Sequence, residues 1–219
     1  MARLRIRGLS EPLLAGWLLA LGLFLAGLGG AFLPWLWREP VALQLTAPGL
    51  AEFVKFLPQV RYNQVAVQRL FFLLPLFWAM LALALLAENS QLALPRWLRW
   101  LLRLVVMPLA LAALSPVWTP AVLTAPEFRL QTLLAVGAVV LAVSAPLWRK
   151  LPLKPLLGLL LIGGLAALVL PWWHFSLVQP GLAEAYHQPV ALGWGWWLTV
   201  SGIVLSLTGG LTMFLRRVN

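Results

Sequence analysis

Six long apolar runs organise this chain, at about 13–34, 68–87, 100–116, 129–148, 154–172 and 194–215. Each is close to the roughly 20 residues that a helix needs to cross a bilayer. The pattern predicts an all-α polytopic integral membrane protein. Six transmembrane helices are arranged as three helical hairpins in a single membrane domain over 1–219, with outer loops at 35–67, 117–128 and 173–193. The third run is short, and Arg103 near its start is expected to snorkel to the surface. Pro75 and Pro108 predict kinks in the second and third helices. Within the first loop, segment 48–57 sets Leu50, Phe53, Val54 and Leu57 on one helical face, which predicts an interfacial helix on the outer leaflet.

Composition agrees with the pattern. Hydrophobic residues make up 62% of the 219 positions and charged residues 10%, against about 45–50% and 25% in soluble domains. A domain of this length has too little interior to hide that much apolar surface from water. The net charge is +10, but the basic residues fall in short clusters between apolar runs rather than on a basic face, which argues against a nucleic-acid partner. With a cytoplasmic N-terminus, eleven of the sixteen Lys and Arg fall inside: Arg3, Arg5, Arg7, Arg96, Arg99, Arg103, Arg149, Lys150, Lys154, Arg216 and Arg217. Arg38, Lys55, Arg61, Arg69 and Arg129 fall outside. Both termini are therefore expected in the cytoplasm. The location expected is the cell membrane, read as a prokaryotic inner membrane from a composition rich in Leu, Ala and Pro. The opening resembles a signal peptide, but its long apolar run without a clear cleavage site reads as a retained first helix.

Tryptophan marks both boundaries. Trp35, Trp37, Trp118, Trp172, Trp173, Trp194, Trp196 and Trp197 are expected at an outer interface, and Trp97, Trp100 and Trp148 at the inner one. Each odd-numbered run ends in Pro and Trp and is followed by a Pro-led segment containing Glu. The string PGLAE occurs at 48–52 and 180–184, and LTAP at 45–48 and 123–126. These strings suggest three copies of one hairpin. Small residues recur every fourth position at Gly22, Ala26 and Gly30, and again at Gly202, Ser206 and Gly210. Such stripes allow helix backbones to approach closely, and internal packing is expected.

The alphabet for chemistry is small. The chain has no Cys and no Asp, six Glu, three Lys and two His, which removes disulfides, thiolate ligands and Asp-based chemistry. Thr124 and Glu127 fit a capping box, and Glu52 and Glu184 are expected early in short helices, so these carboxylates read as caps. The hydroxyls of Thr199, Ser201, Ser206, Thr208 and Thr212 in the sixth run are expected to bond back to helix carbonyls. His174, Glu184 and His187, with Glu52 nearby, form the candidate catalytic constellation. His174 alone is a candidate ligand for a haem or pigment. No metal site and no cofactor are predicted. The partners expected are membrane lipids, with anionic head groups on the basic inner side, and other membrane protein subunits. The function expected is a non-catalytic membrane subunit or accessory protein of a larger complex, acting through helix packing and outer-loop contacts. One alternative is a transporter component or lipid-handling protein with a lateral groove lined by Trp172, Trp173 and Trp196. Another is a membrane enzyme with an outer-facing His/Glu site.

Overall fold

A computed structural model describes residues 11–37, 44–92 and 94–216. Arg3, Arg5, Arg7, Arg38 and Arg217 lie outside the described residues. Among the described residues the chain is all-helical apart from a two-strand ribbon, β1 (Pro34–Leu36) paired antiparallel with β2 (Leu45–Thr46). The helices are α1 (Glu11–Ala31), α2 (Ala47–Phe53), α3 (Pro58–Arg61), α4 (Leu74–Leu86), α5 (Arg96–Ala113), α6 (Pro120–Leu123), α7 (Pro126–Val143), α8 (Leu153–Tyr186) and α9 (Trp194–Arg216). Four of them, α1, α7, α8 and α9, are long and apolar enough to cross a membrane. The apolar run of α4 spans Leu70–Leu86 and is shorter. The 18 residues of α5 carry Arg96, Arg99 and Arg103 in their first half.

The tightest helix pair joins the two ends of the chain. A Cβ added at Gly22 would lie 2.5 Å from the Gly202 carbonyl oxygen and the Ser206 nitrogen; one at Gly29 would lie 2.6 Å from Thr199 Oγ1; one at Gly209 would lie 2.7 Å from the Ala15 oxygen. Backbone therefore touches backbone along the whole contact. The pairings run antiparallel, from Ala15 opposite Gly209 to Gly29 opposite Gly195. Both faces advance in steps of four and three residues (15, 19, 22, 26, 29 and 195, 199, 202, 206, 209), the seam of a left-handed helix pair. Gly22, Ala26, Gly202 and Ser206 lie in this seam. Gly30 and Gly210 do not: Gly30 faces Leu76 of α4, and Gly210 faces Leu157 and Leu160 of α8. A strict four-residue step drifts around a helix with 3.6 residues per turn, so Gly29 and Gly209 take their places. Ser206 donates to the carbonyl of Gly202 at 2.9 Å and lies 3.4 Å from that of Leu19 across the seam.

Helix α4 is the hub. It packs on α1, α5, α7 and α8, and Phe72, Leu73, Leu76, Ala79 and Met80 are fully buried. The Trp78 indole donates to the Leu160 carbonyl at 3.0 Å. It lies so close to α8 that a Cβ at Gly163 would fall 2.9 Å from the ring. The Gly163–Gly164 pair thus makes room for an indole. Helices α7 and α8, though consecutive, each pack on α4 and make at most marginal contact with one another.

Several expectations are corrected. Residues 173–186, read as outer loop, continue α8 as helix; its 34 residues span about 51 Å, well beyond a hydrocarbon core of about 30 Å. Pro75 starts α4 instead of kinking it, because the first turn needs no Pro N–H; Pro108 does lie inside α5. The apolar face of segment 48–57 turns inward: Leu50, Val54 and Leu57 are buried in the protein core. The repeated strings adopt different structures. Thr46 caps α2 by accepting from Gly49 N, Thr124 instead donates back to Pro120 O, and the second PGLAE lies inside α8.

The seam yields a paired prediction. Gly202→Leu drives a side chain into the backbone of α1 and is expected to destabilise by about 3 kcal/mol, the upper end of overpacking costs. Gly137→Leu, where an added Cβ meets nothing within 4 Å, is expected to stay within about 1 kcal/mol of wild type. Thermal or denaturant unfolding in detergent reads both; equal losses contradict the packing.

Candidate functional site

Among the described residues, ion-paired side chains gather in two clusters, one at each end of the α4–α5–α7 group. The larger lies beneath the segment made of β2, α2, α3 and the 3₁₀ turn Arg69–Phe71, here called the cap. Its centre is Arg69, 8% exposed. Nη1 donates to Glu52 Oε1 at 2.8 Å and to Gln131 Oε1 at 3.0 Å, and Nη2 donates to the Glu127 carbonyl at 2.5 Å. Lys55 Nζ lies 2.6 Å from both Glu52 Oε2 and Glu127 Oε1. Both cations also face the Phe128 ring, Arg69 at 4.6 Å and Lys55 at 5.0 Å from its centre. Two carboxylates and two cations leave this group formally neutral.

Each member arrives for a local reason. Thr46 starts α2, which turns Leu50 inward and carries Glu52 to the cluster. The 3₁₀ turn ahead of α4 delivers Arg69, and the first turns of α7 deliver Glu127 and Gln131. Buried Gln131 also donates to the Ala113 carbonyl at 2.7 Å, an end group of α5 that has no partner within its own helix. At the far end the relation is reversed. Arg103 of α5 donates to the Ala142 and Val143 carbonyls that end α7, at 2.8 and 3.1 Å. The two helices therefore cap each other. Arg103 does not simply snorkel; its Nη1 lies 3.4 Å from Glu88, whose other oxygen is 3.9 Å from Arg99, and its guanidinium faces the Trp100 ring at 4.5 Å.

The His/Glu constellation is not brought together. His174 Nδ1 lies 2.9 Å from the Leu170 carbonyl, so this nitrogen carries the hydrogen, and the ring packs on Phe71 at 4.5 Å. Glu184 accepts from Gln59 Nε2 at 2.9 Å. His187 ends α8 in a left-handed conformation with φ 53° and is exposed. Ten helical residues separate His174 from Glu184, about 15 Å along the axis, and Glu52 belongs to the Arg69 cluster. Among the described residues no group of three His, Cys, Asp or Glu is placed to hold a metal ion. Of the carboxylates read as helix-start groups, Glu127 does lie in the first turn of α7, where it also pairs with Lys55, whereas Glu52 lies late in α2 and Glu184 late in α8. The hydroxyls of Thr199, Ser206, Thr208 and Thr212 do bond back to the carbonyl four residues earlier.

The tryptophans divide. Trp35 and Trp196 are buried. They meet edge to face at 4.8 Å, and Trp35 Nε1 donates to the Gly29 carbonyl at 3.2 Å. Trp172 stacks on Trp196 at 6.4 Å. Trp196 is thus enclosed between two rings and does not line an open groove with Trp173, which is exposed. Trp37, Trp118, Trp172, Trp194 and Trp197 are exposed as well.

Sequence reasoning missed Arg69 and Gln131 as site residues. Both are polar side chains placed against apolar runs, where a group needs an internal partner; Arg69 was counted only as a topology signal. Two depressions of about 390 and 280 Å³ flank the cluster, one reaching Lys55, Arg69 and Glu127, the other Glu52 and Gln131. Chemically the arrangement is a lock: each charge already has an opposite partner within the chain. Compared with known proteins, the chain matches no known family, no curated protein and no solved structure.

Removing the central guanidinium strands Gln131 and part of Glu52. Arg69→Met is expected to destabilise by about 3 kcal/mol, in the range for breaking a buried pair. Arg69→Lys should recover only part of that, since one ammonium replaces a planar fork. Unfolding of the purified variants checks the ranking; wild-type stability for either contradicts it. Lys55 adds a pH dependence. Burial alone would lower its pKa, but hydrogen bonds from its ammonium to Glu127 and Glu52 outweigh burial and hold it above the ordinary 10.5. Its stabilising contribution is fully present below the unfolded-state value and is lost as pH rises through the higher folded value. Protease resistance of the cap should therefore be level up to about pH 10 and fall above it, and Lys55→Met should flatten that fall.

Proposed function

We propose that the chain is a non-catalytic integral membrane subunit or accessory protein of a larger membrane complex. Helices α1, α4, α5, α7, α8 and α9 cross the bilayer as three hairpins, α1 with α4, α5 with α7 and α8 with α9. Both termini are cytoplasmic, the cap faces outward, and lipids with anionic head groups meet the basic inner side.

The observation that carries this reading is the internally balanced cap cluster. Glu52, Lys55, Arg69 and Glu127 bind each other, so they serve to hold a surface in place. That surface is built from α2, α3 and the far end of α8, joined by Gln59 to Glu184 and by Phe53 against Tyr186 at 5.8 Å. It presents Phe56 and Tyr62 at 75% and 71% exposure. Two large rings on a rigid, charge-neutral platform suit contact with another membrane subunit, where aromatic anchors dominate binding. Arg103 and Gln131 bond the ends of each other's helices, and Thr199 and Ser206 bond back along α9, which supports packing over catalysis as the working principle.

Because the chain has no Cys, single cysteines report topology and contact together. Tyr62→Cys should react with a membrane-impermeant maleimide in intact cells, and Lys150→Cys only after permeabilisation. The double change Phe56→Ser and Tyr62→Ser should leave the thermal unfolding midpoint unchanged and shift the natively extracted complex to the mass of the free chain. Reversed labelling overturns the orientation. A wild-type chain that migrates alone after gentle extraction overturns the subunit reading.

A further inference from the structure

The face of α4 turned away from α1 supports a site that the subunit reading does not include. Beside Trp78, where α8 leaves α4, an apolar groove of about 220 Å³ opens laterally between Leu81, Ala82 and Leu85 on one wall and Leu156 and Leu159 on the other. Its walls are apolar side chains of two helices, the surroundings that an acyl chain takes, and the charge at its far rim favours a lipid over a second copy of the chain.

Its far rim is basic. Ser90 N and Oγ both donate to the Arg149 carbonyl, at 3.2 and 3.3 Å, and Asn89 Nδ2 donates to the Leu151 carbonyl at 3.0 Å. These bonds fix the turn at 149–151 against the end of α4, beyond Leu85 and Leu86. Arg149 and Lys150 are exposed there. The nearby acid, Glu88, is taken up by Arg99 and Arg103 on the α5 side, so it does not cancel the rim charge.

We infer that this groove holds one acyl chain of an anionic phospholipid, with its head group on Arg149 and Lys150. The inference rests on the membrane reading proposed above. Apolar walls at hydrocarbon depth meet a cationic rim where a phosphate would lie, and burying methylenes between two helix walls supplies the affinity.

The test uses the full chain purified in detergent, with phosphatidylglycerol or phosphatidylcholine of identical acyl chains added. Phosphatidylglycerol should raise the thermal midpoint of wild type more than phosphatidylcholine does, and native mass spectrometry should retain one phosphatidylglycerol per chain. Ala82→Phe, which fills the groove, should cut that shift by more than half and abolish the retained lipid. Arg149→Gln with Lys150→Gln should erase the difference between the two lipids. Because Ala82→Phe alone could disturb packing, the rim variant, placed on an exposed turn, tests the site independently. Equal shifts from both lipids in wild type, or full phosphatidylglycerol retention by both variants, overturns the inference. Loss of a dimer mass on groove filling also overturns it, by assigning the groove to a second copy. A chain that stays dissolved and folded after detergent removal overturns the membrane reading instead.

Discussion

A polar group surrounded by hydrocarbon must find its partner inside the protein, because no water is there to substitute. That constraint accounts for most of the arrangement. The Trp35 and Trp78 indoles each donate to a helix carbonyl. The hydroxyls of Thr199, Ser206, Thr208 and Thr212 in α9 bond back along their own helix. Gln131 and Arg103 satisfy the ends of each other's helices. The cap cluster then brings charge to zero where a short apolar helix, α4, starts with a buried arginine beside it. With few polar residues available, nearly every one has a structural task.

Packing completes what polarity leaves open. In lipid, apolar surface supplies no net drive between helices, so close approach and dispersion must hold them. The α1–α9 seam achieves this with glycines whose absent Cβ atoms let backbones touch. It also joins the two ends of the chain, so that α4 can sit in the middle and act as a scaffold for α5, α7 and α8. The price is an exterior of large apolar side chains on α7 and α8, among them Leu133, Val140, Leu159 and Ile162, which suits a surrounding of acyl chains.

Much of the fold was legible from hydropathy, because length and apolar runs bound a helix directly. The run at 194–215 matches α9 almost residue for residue, and Gly22, Ala26, Gly202 and Ser206 were placed by their spacing. The misplaced parts have physical reasons. The α8 extension carries on through Pro171 and Pro180, and nothing local reveals that tertiary contacts with the cap hold it helical. Glu52 and Glu184 look like caps because their neighbours suit helix starts. Glu52 pairs with Lys55 three residues on, but its other partner Arg69, the Lys55 that meets Glu127 and the Gln59 that meets Glu184 are remote in sequence. Arg69 and Gln131 were the available clue: each is a hydrogen-bonding side chain beside an apolar stretch, a position that demands a partner. The all-helical character and the long apolar helices were therefore readable from one-dimensional pattern, whereas the site depended on three-dimensional pairing.

The central proposal is that lipid, not water, surrounds six helices of this chain, the four that length and composition mark as able to span and also α4 and α5, which they do not. Hydrogen–deuterium exchange of the full chain in lipid nanodiscs tests it most directly. Amides throughout α1, α4, α5, α7, α9 and residues 153–172 of α8 should exchange far more slowly than those of the cap and of residues 174–186. Rapid exchange along α4 or α5, at rates matching the cap, would show water reaching the centre of the bundle and contradict the account.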